Sequence, residues 1–149
     1  MNIVLAHGIL GFKKIPILNL EYFNGVKAHL EDKFNARVLV TKVDPVAGIE
    51  KHGDQLYEQI TAALGQTGAA STLDPRKKVH IIAHSMGGLA VQRALLDDKG
   101  LRNRTSHLFL FGTPSGGLIK ASLVRILKPQ LRDMARGGRF IRALRGDWR

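Results

Sequence analysis

Apolar residues along the chain follow two alternating rhythms. Short runs rich in Val, Ile, Leu and Phe occupy residues 2–6, 36–43, 79–84 and 106–112, as buried strands do. Between them the apolar positions stretch to helical spacing. Phe23, Val26, Leu30 and Phe34 form one set, behind Asn19 as N-cap and with Lys27, Glu31 and Lys33 turned outward. Ile49, Leu56, Ile60, Ala63 and Leu64 mark a second helix. Residues 89–96 form a third, ending near Gly100, which suits a C-cap. Residues 65–75 are mostly small, close on Asp74-Pro75, and are expected to form a mobile loop. Strand and helix in alternation predict an α/β fold, with a parallel sheet of about four strands joined by right-handed crossovers and flanked by helices.

Beyond Leu118 the pattern changes. Leu123, Ile126, Leu127, Leu131, Met134, Phe140, Ile141 and Leu144 fall at helical intervals, broken by Pro129 and Gly137-Gly138. This predicts two or three short amphipathic helices with arginines outside. The expected organisation is an α/β core over residues 1–117 and a basic amphipathic segment over residues 118–149, in one domain.

The third strand ends in Ala83-His84-Ser85-Met86-Gly87-Gly88 and runs directly into a helix. A serine at the tip of so sharp a strand–turn–helix junction has the mechanics of a nucleophile elbow. Such a turn needs small residues two before and two after the serine, here Ala83 and Gly87. The first strand likewise ends in His7-Gly8 and enters the loop Ile9-Leu10-Gly11-Phe12.

Together with Leu110-Phe111-Gly112-Thr113-Pro114-Ser115-Gly116-Gly117, these stretches resemble bacterial lipases and serine esterases of the α/β-hydrolase superfamily, over most of the chain. Ala83 departs from the glycine that many members carry. The resemblance implies a carboxylic-ester hydrolase with Ser85 as catalytic nucleophile. It implies an oxyanion hole from the N–H groups of Met86 and Ile9, with Leu10 as the alternative to Ile9. His7, Gly8, His84 and Gly87 would shape the site, and residues 118–149 would form a lid-like cap beside it.

Serine acyl transfer also needs a base and an acid to orient it. In this superfamily both follow the nucleophile, yet only His107 lies beyond Ser85. It starts its strand, whereas Ser85 lies past the end of a parallel neighbour. Five or so residues at about 3.3 Å each separate those edges by roughly 16 Å. The same argument removes His80. His84 should leave the elbow in another direction, His7 makes a poor substitute, and His29 and His52 read as surface residues on helices. Asp133 and Asp147 have no histidine after them. Members of the resembling superfamily continue past the cap with strands that deliver acid and histidine. The expectation is therefore a truncated α/β-hydrolase fold, an N-terminal portion incomplete as a catalyst. A sheet ending at residues 108–111 would expose an apolar edge, to be covered by a homo-oligomer, a missing C-terminal portion or the basic tail.

Composition narrows the rest. Among 149 residues there is no cysteine, hence neither a disulfide framework nor a thiolate metal site. No metal-ligand cluster and neither glycine-rich nucleotide motif occurs, so no metal or cofactor is expected. No secretory signal pattern and no apolar run of about 18 residues is present, and a cytoplasmic location is expected. The net charge of +11 is uneven, with nine basic and two acidic residues from 120 to 149. The expected partner is a small-molecule or lipid ester; nucleic acid is disfavoured, and the basic tail offers contact with a membrane surface. The alternative function is a catalytically inactive α/β-hydrolase-like binding module whose tail contacts anionic surfaces.

Overall fold

A computed structural model describes residues 1–8, 23, 25–44, 47–68, 71–117, 133–134 and 138–148. Strands β1 (Asn2–His7), β2 (Arg37–Val40), β3 (Val79–His84) and β4 (Thr105–Phe111) pair in parallel in the order β2-β1-β3-β4. Helices α1 (Val26–Phe34), α2 (Ile49–Gly65), α3 (Met86–Asp97), α4 (Lys99–Arg104) and α5 (Arg139–Asp147) flank it. The four-stranded parallel sheet expected from the apolar runs is what forms.

Strand alternation divides the core. Val4 and Ala6 of β1, with Val79, Ile81 and Ala83 of β3, face Ile49, Leu56, Ile60, Leu89, Val91 and Leu95 of α2 and α3. Ile3 and Leu5 turn to the other face, against Ala36 and Val38, with Phe23 and Leu30 packed beside them. Burial on both faces is why Ile3-Val4-Leu5-Ala6 is uninterruptedly apolar. Gly53 sits inside α2, where it costs about 1 kcal/mol relative to alanine. The close crossing with α3 accounts for it, since a Cβ there would stand 3.2 Å from the Ala90 carbonyl oxygen.

Several expectations need correction. No residue of α1 is buried, and Phe34 is 52% exposed. The helix starts at Val26, after Phe23 and Gly25, both in left-handed backbone, so Phe23 packs from outside the helix. The expected N-cap Asn19 lies outside the described residues. Gly100 is not a C-cap but the second residue of α4, because Asp98 accepts a hydrogen bond from Leu101 N–H and starts a new helix. His52 is buried, its Nε2 2.5 Å from the Asp44 carbonyl oxygen. The loop expected to be mobile ends in an anchored plug. Leu73 is fully buried, and the Asn2 carboxamide exchanges two 2.8 Å hydrogen bonds with the Asp74 main chain. The Arg76 backbone N–H holds the Asp74 carboxyl below its ordinary value.

α5 joins the main core. Met134, Ile141 and Leu144 are each 1% exposed within it. The Asp133 carboxylate accepts from Ile49 N–H at 3.1 Å, capping α2 where its own N-cap residue, Gly48, offers no side chain. Arg93 of α3 pairs with both Asp97 and Asp147. The other helices expected between 118 and 132 lie outside the described residues. Leu144→Ala is therefore expected to cost about 2–4 kcal/mol in urea unfolding, as a core truncation does. A loss under about 0.5 kcal/mol, typical of an exposed position, would contradict this docking.

On the opposite face, among the described residues, α1 packs chiefly against β2. At the other edge of the sheet Phe109 and Phe111 of β4 are 46% and 57% exposed. No helix among the described residues is long and apolar enough to cross a membrane.

Candidate active site

β3 ends at His84 and α3 begins at Met86, leaving Ser85 alone to make the turn. It does so at φ 55° and ψ −133°, a region that costs a non-glycine residue about 1–3 kcal/mol. Both neighbouring strands hold the turn in place. Ser85 N–H donates to the Phe111 carbonyl of β4 at 2.9 Å, and Gly8 N–H, just past β1, donates to the His84 carbonyl at 3.2 Å. Gly88 N–H closes the first turn onto the Ser85 carbonyl. Among the described residues, no hydrogen bond reaches the Ser85 hydroxyl or the Met86 N–H. That N–H is the first donor of α3, at the positive end of the helix dipole.

The two Gly-containing motifs meet here. A Cβ on Gly8 would stand 2.5 Å from Gly87 N, and one on Gly87 would stand 2.7 Å from the His7 carbonyl carbon. The His7-Gly8 and Met86-Gly87 backbones therefore touch, which sets the end of β1 beside the start of α3. Ile9, the expected second oxyanion donor, and its alternative Leu10 lie outside the described residues. Gly88 is forced in the same way, since a Cβ there would collide with the Thr113 side chain. Gln92, missed in the sequence, ties this loop to the elbow helix. Its Nε2 donates to the Gly88 carbonyl at 3.1 Å and the Ser115 hydroxyl at 3.2 Å. A buried amide beside Arg93, the two polar positions of the stretch Leu89–Leu96, was the available signal.

The histidines divide by register. His7 and His84 are β1–β3 partners on the face opposite α2 and α3. The His7 ring lies 6.2 Å from that of Phe23, and the His84 ring approaches Gly112. Burial first, and the charge of His84 second, push the His7 pKa below the ordinary 6.5. Folded His7 thus resists protonation more than unfolded His7, so stability present above about pH 6.5 is lost as pH falls toward the folded value. The melting temperature is expected to drop between about pH 7 and pH 5, and less steeply for His7→Gln; an equal drop would remove His7 from the account. His80 and His107 pair four residues before His84, with rings stacked at 5.1 Å. Five residues from His80 to Ser85 put them about 16 Å from the elbow serine, in line with the sequence argument. No group of three or more metal-ligating side chains occurs among the described residues.

No protein-family model matches the chain. A triacylglycerol lipase of Vibrio cholerae is 36% identical over 90 residues, covering 60% of this chain and 26% of the relative. Triacylglycerol lipase 2 of Saccharomyces cerevisiae is 31% identical over 112 residues, covering 75% of this chain and 33% of the relative. The matched stretches thus span a third or less of these curated relatives. A mature lipase from Bacillus licheniformis superposes with a TM-score of 0.69 at 18% identity, over 97% of this chain and 58% of that one. Phospholipase PlaB from Legionella pneumophila reaches 0.72 at 16% identity, over 99% and 34%. Sequence relatives and structural neighbours agree: this chain has an α/β-hydrolase fold and is similar to lipases and esterases.

Proposed function

We propose that the chain carries the acyl-transfer centre of a carboxylic-ester hydrolase, with Ser85 as nucleophile and lipid or small acyl esters as substrates. The observation that carries this is the strained backbone of Ser85, held at the junction of β3 and α3 by β1 and β4. The relatives matched in sequence are named as triacylglycerol lipases, which supports an acyl ester as substrate. The Ser85 oxygen attacks the ester carbonyl, its proton passes to a base, and the alkoxide leaves as the acyl–serine bond forms. The developing oxyanion accepts hydrogen bonds from Met86 N–H and, in this reading, Ile9 N–H, each contributing about 10²–10³ in rate. Gly8 and Gly87 let the two donors converge, and His7 and His84 support the turn from the sheet face.

Among the described residues no imidazole bonds the Ser85 hydroxyl. We therefore assign the 149-residue chain a slow acylation and a turnover no more than about 10³–10⁴ above the uncatalysed rate, as for a serine centre without its base. The test is a fluorophosphonate probe followed by peptide mass spectrometry. An adduct on Ser85 that accumulates slowly, and is absent from Ser85→Ala, is expected. No adduct after prolonged excess, or one elsewhere, overturns the assignment and leaves an inactive scaffold. Rapid hydrolysis of p-nitrophenyl butyrate, abolished in Ser85→Ala, would show instead that the chain holds its own base.

A further inference from the structure

We propose that His80 and His107 form a two-histidine site for a divalent transition metal, a clip joining the start of β3 to the start of β4. The two residues are 27 apart in the chain, and register makes them direct partners in the parallel pair. Their Nδ1 atoms stand 3.2 Å apart, and the Ser106 hydroxyl lies 3.0 Å from the Nδ1 of His107. Two nitrogens held at about 2.05 Å by one tetrahedral metal lie about 3.3 Å from each other. The strands thus set the pair at coordination spacing before any metal arrives. The contact is exposed, so a turn of each ring about its Cβ–Cγ bond brings both lone pairs onto one ion, and water completes the shell. Without a metal, one of the facing nitrogens must carry a proton and the other accept it. Burial first, then the charges of His107 and of the N-terminal amino group, hold the His80 pKa below the ordinary 6.5. At neutral pH that ring is uncharged and has a lone pair to give.

The surroundings select the kind of metal. Among the described residues neither ring pairs with a carboxylate, and Lys78 and Arg104 immediately precede the two strands. Magnesium and calcium need oxygen ligands and gain nothing here. Imidazole nitrogen suits Ni²⁺, Cu²⁺ and Zn²⁺, with Cu²⁺ bound most tightly. The placement also matters. β4 is the edge strand, joined to the sheet through β3 alone. Its far end supplies the Phe111 carbonyl that holds the Ser85 N–H. A metal that binds only the folded pair therefore stabilises the two strands on which the elbow rests. The inference concerns this clip, and stands whether or not Ser85 turns over.

The test uses the full chain without an affinity tag, stripped of metal with EDTA. Isothermal titration at about pH 7.5 is expected to give one Zn²⁺ per chain, tighter binding of Cu²⁺ and none of Mg²⁺. Excess Zn²⁺ should raise the melting temperature by about 3 °C or more. Both effects should vanish near about pH 5, where protons displace the metal. In His80→Gln or His107→Gln the affinity should fall about tenfold or more, since one of two ligands is lost. His29→Gln, on α1, should bind as the natural chain does. Among the ring signals of the six histidines, substoichiometric Cu²⁺ should broaden those of His80 and His107 first. That reading is made on the natural chain and decides the site even where a variant folds poorly. A Zn²⁺ dissociation constant above about 1 mM overturns the proposal. So does undiminished binding by His107→Gln, or first broadening at another histidine.

Discussion

Gly87→Ala is expected to destabilise the fold by about 3 kcal/mol or more, at the upper end of what overpacking costs. The added methyl would meet three main-chain atoms within 3.0 Å: the His7 carbonyl carbon, Gly8 N and His7 Cα. Backbone cannot swing aside as a side-chain tip can, so β1 and α3 must part. Gly8→Ala meets the same contact from the other side, at 2.5 Å from Gly87 N, and should cost as much. Gly146→Ala is the control. Its Cβ would meet nothing within 4 Å in α5, and the loss of a helical glycine gains up to about 1 kcal/mol. Urea unfolding of the three variants separates the cases. An unchanged midpoint for Gly87→Ala would mean that the two motifs do not touch.

Ser85→Ala and Ser85→Gly should differ in stability while agreeing in chemistry. Both remove the hydroxyl, so neither forms the phosphonate adduct. Alanine keeps the penalty of φ 55° and ψ −133°, whereas glycine visits that region freely. Ser85→Gly is therefore expected to melt higher than both the natural chain and Ser85→Ala, by the equivalent of about 1–3 kcal/mol. Equal melting of the two variants would show that the turn is relaxed, and would take away the main reason for placing chemistry there.

Periodicity made the sheet legible because β1 and β3 are buried and continuously apolar, and a strand of that kind leaves little room for another reading. The elbow was legible for a local reason, since a serine flanked by Ala83 and Gly87 between strand and helix admits few conformations. What failed depended on packing that arises far along the chain. The spacing of Val26, Leu30 and Phe34 is sound helical grammar, yet only Leu30 packs against the core and no residue of α1 is fully buried. His52 read as a surface residue because nothing nearby announces that the Asp44 carbonyl will bond its ring. Asp133 sat in a basic tail with no local hint that it would cap a helix 84 residues earlier. Gly100 looked like a stop, but Asp98 supplied a start instead. The match between Gly8 and Gly87 was the subtler case. Each glycine was noticed, and only the register of β1 with β3 shows that they are needed for one another.

The strand order also sets a timetable. Of the four described strands β1 is made first but lies second in the sheet, and its partner β3 is not made until 77 residues later, since Asn2 pairs with Val79. Until then its paired partner is the short β2, and half of its hydrogen-bonding edge stays open. The last bond across the elbow, from Ser85 to Phe111, must wait for β4. During synthesis, Ser85 can complete its native bonding only after all four described strands have been made.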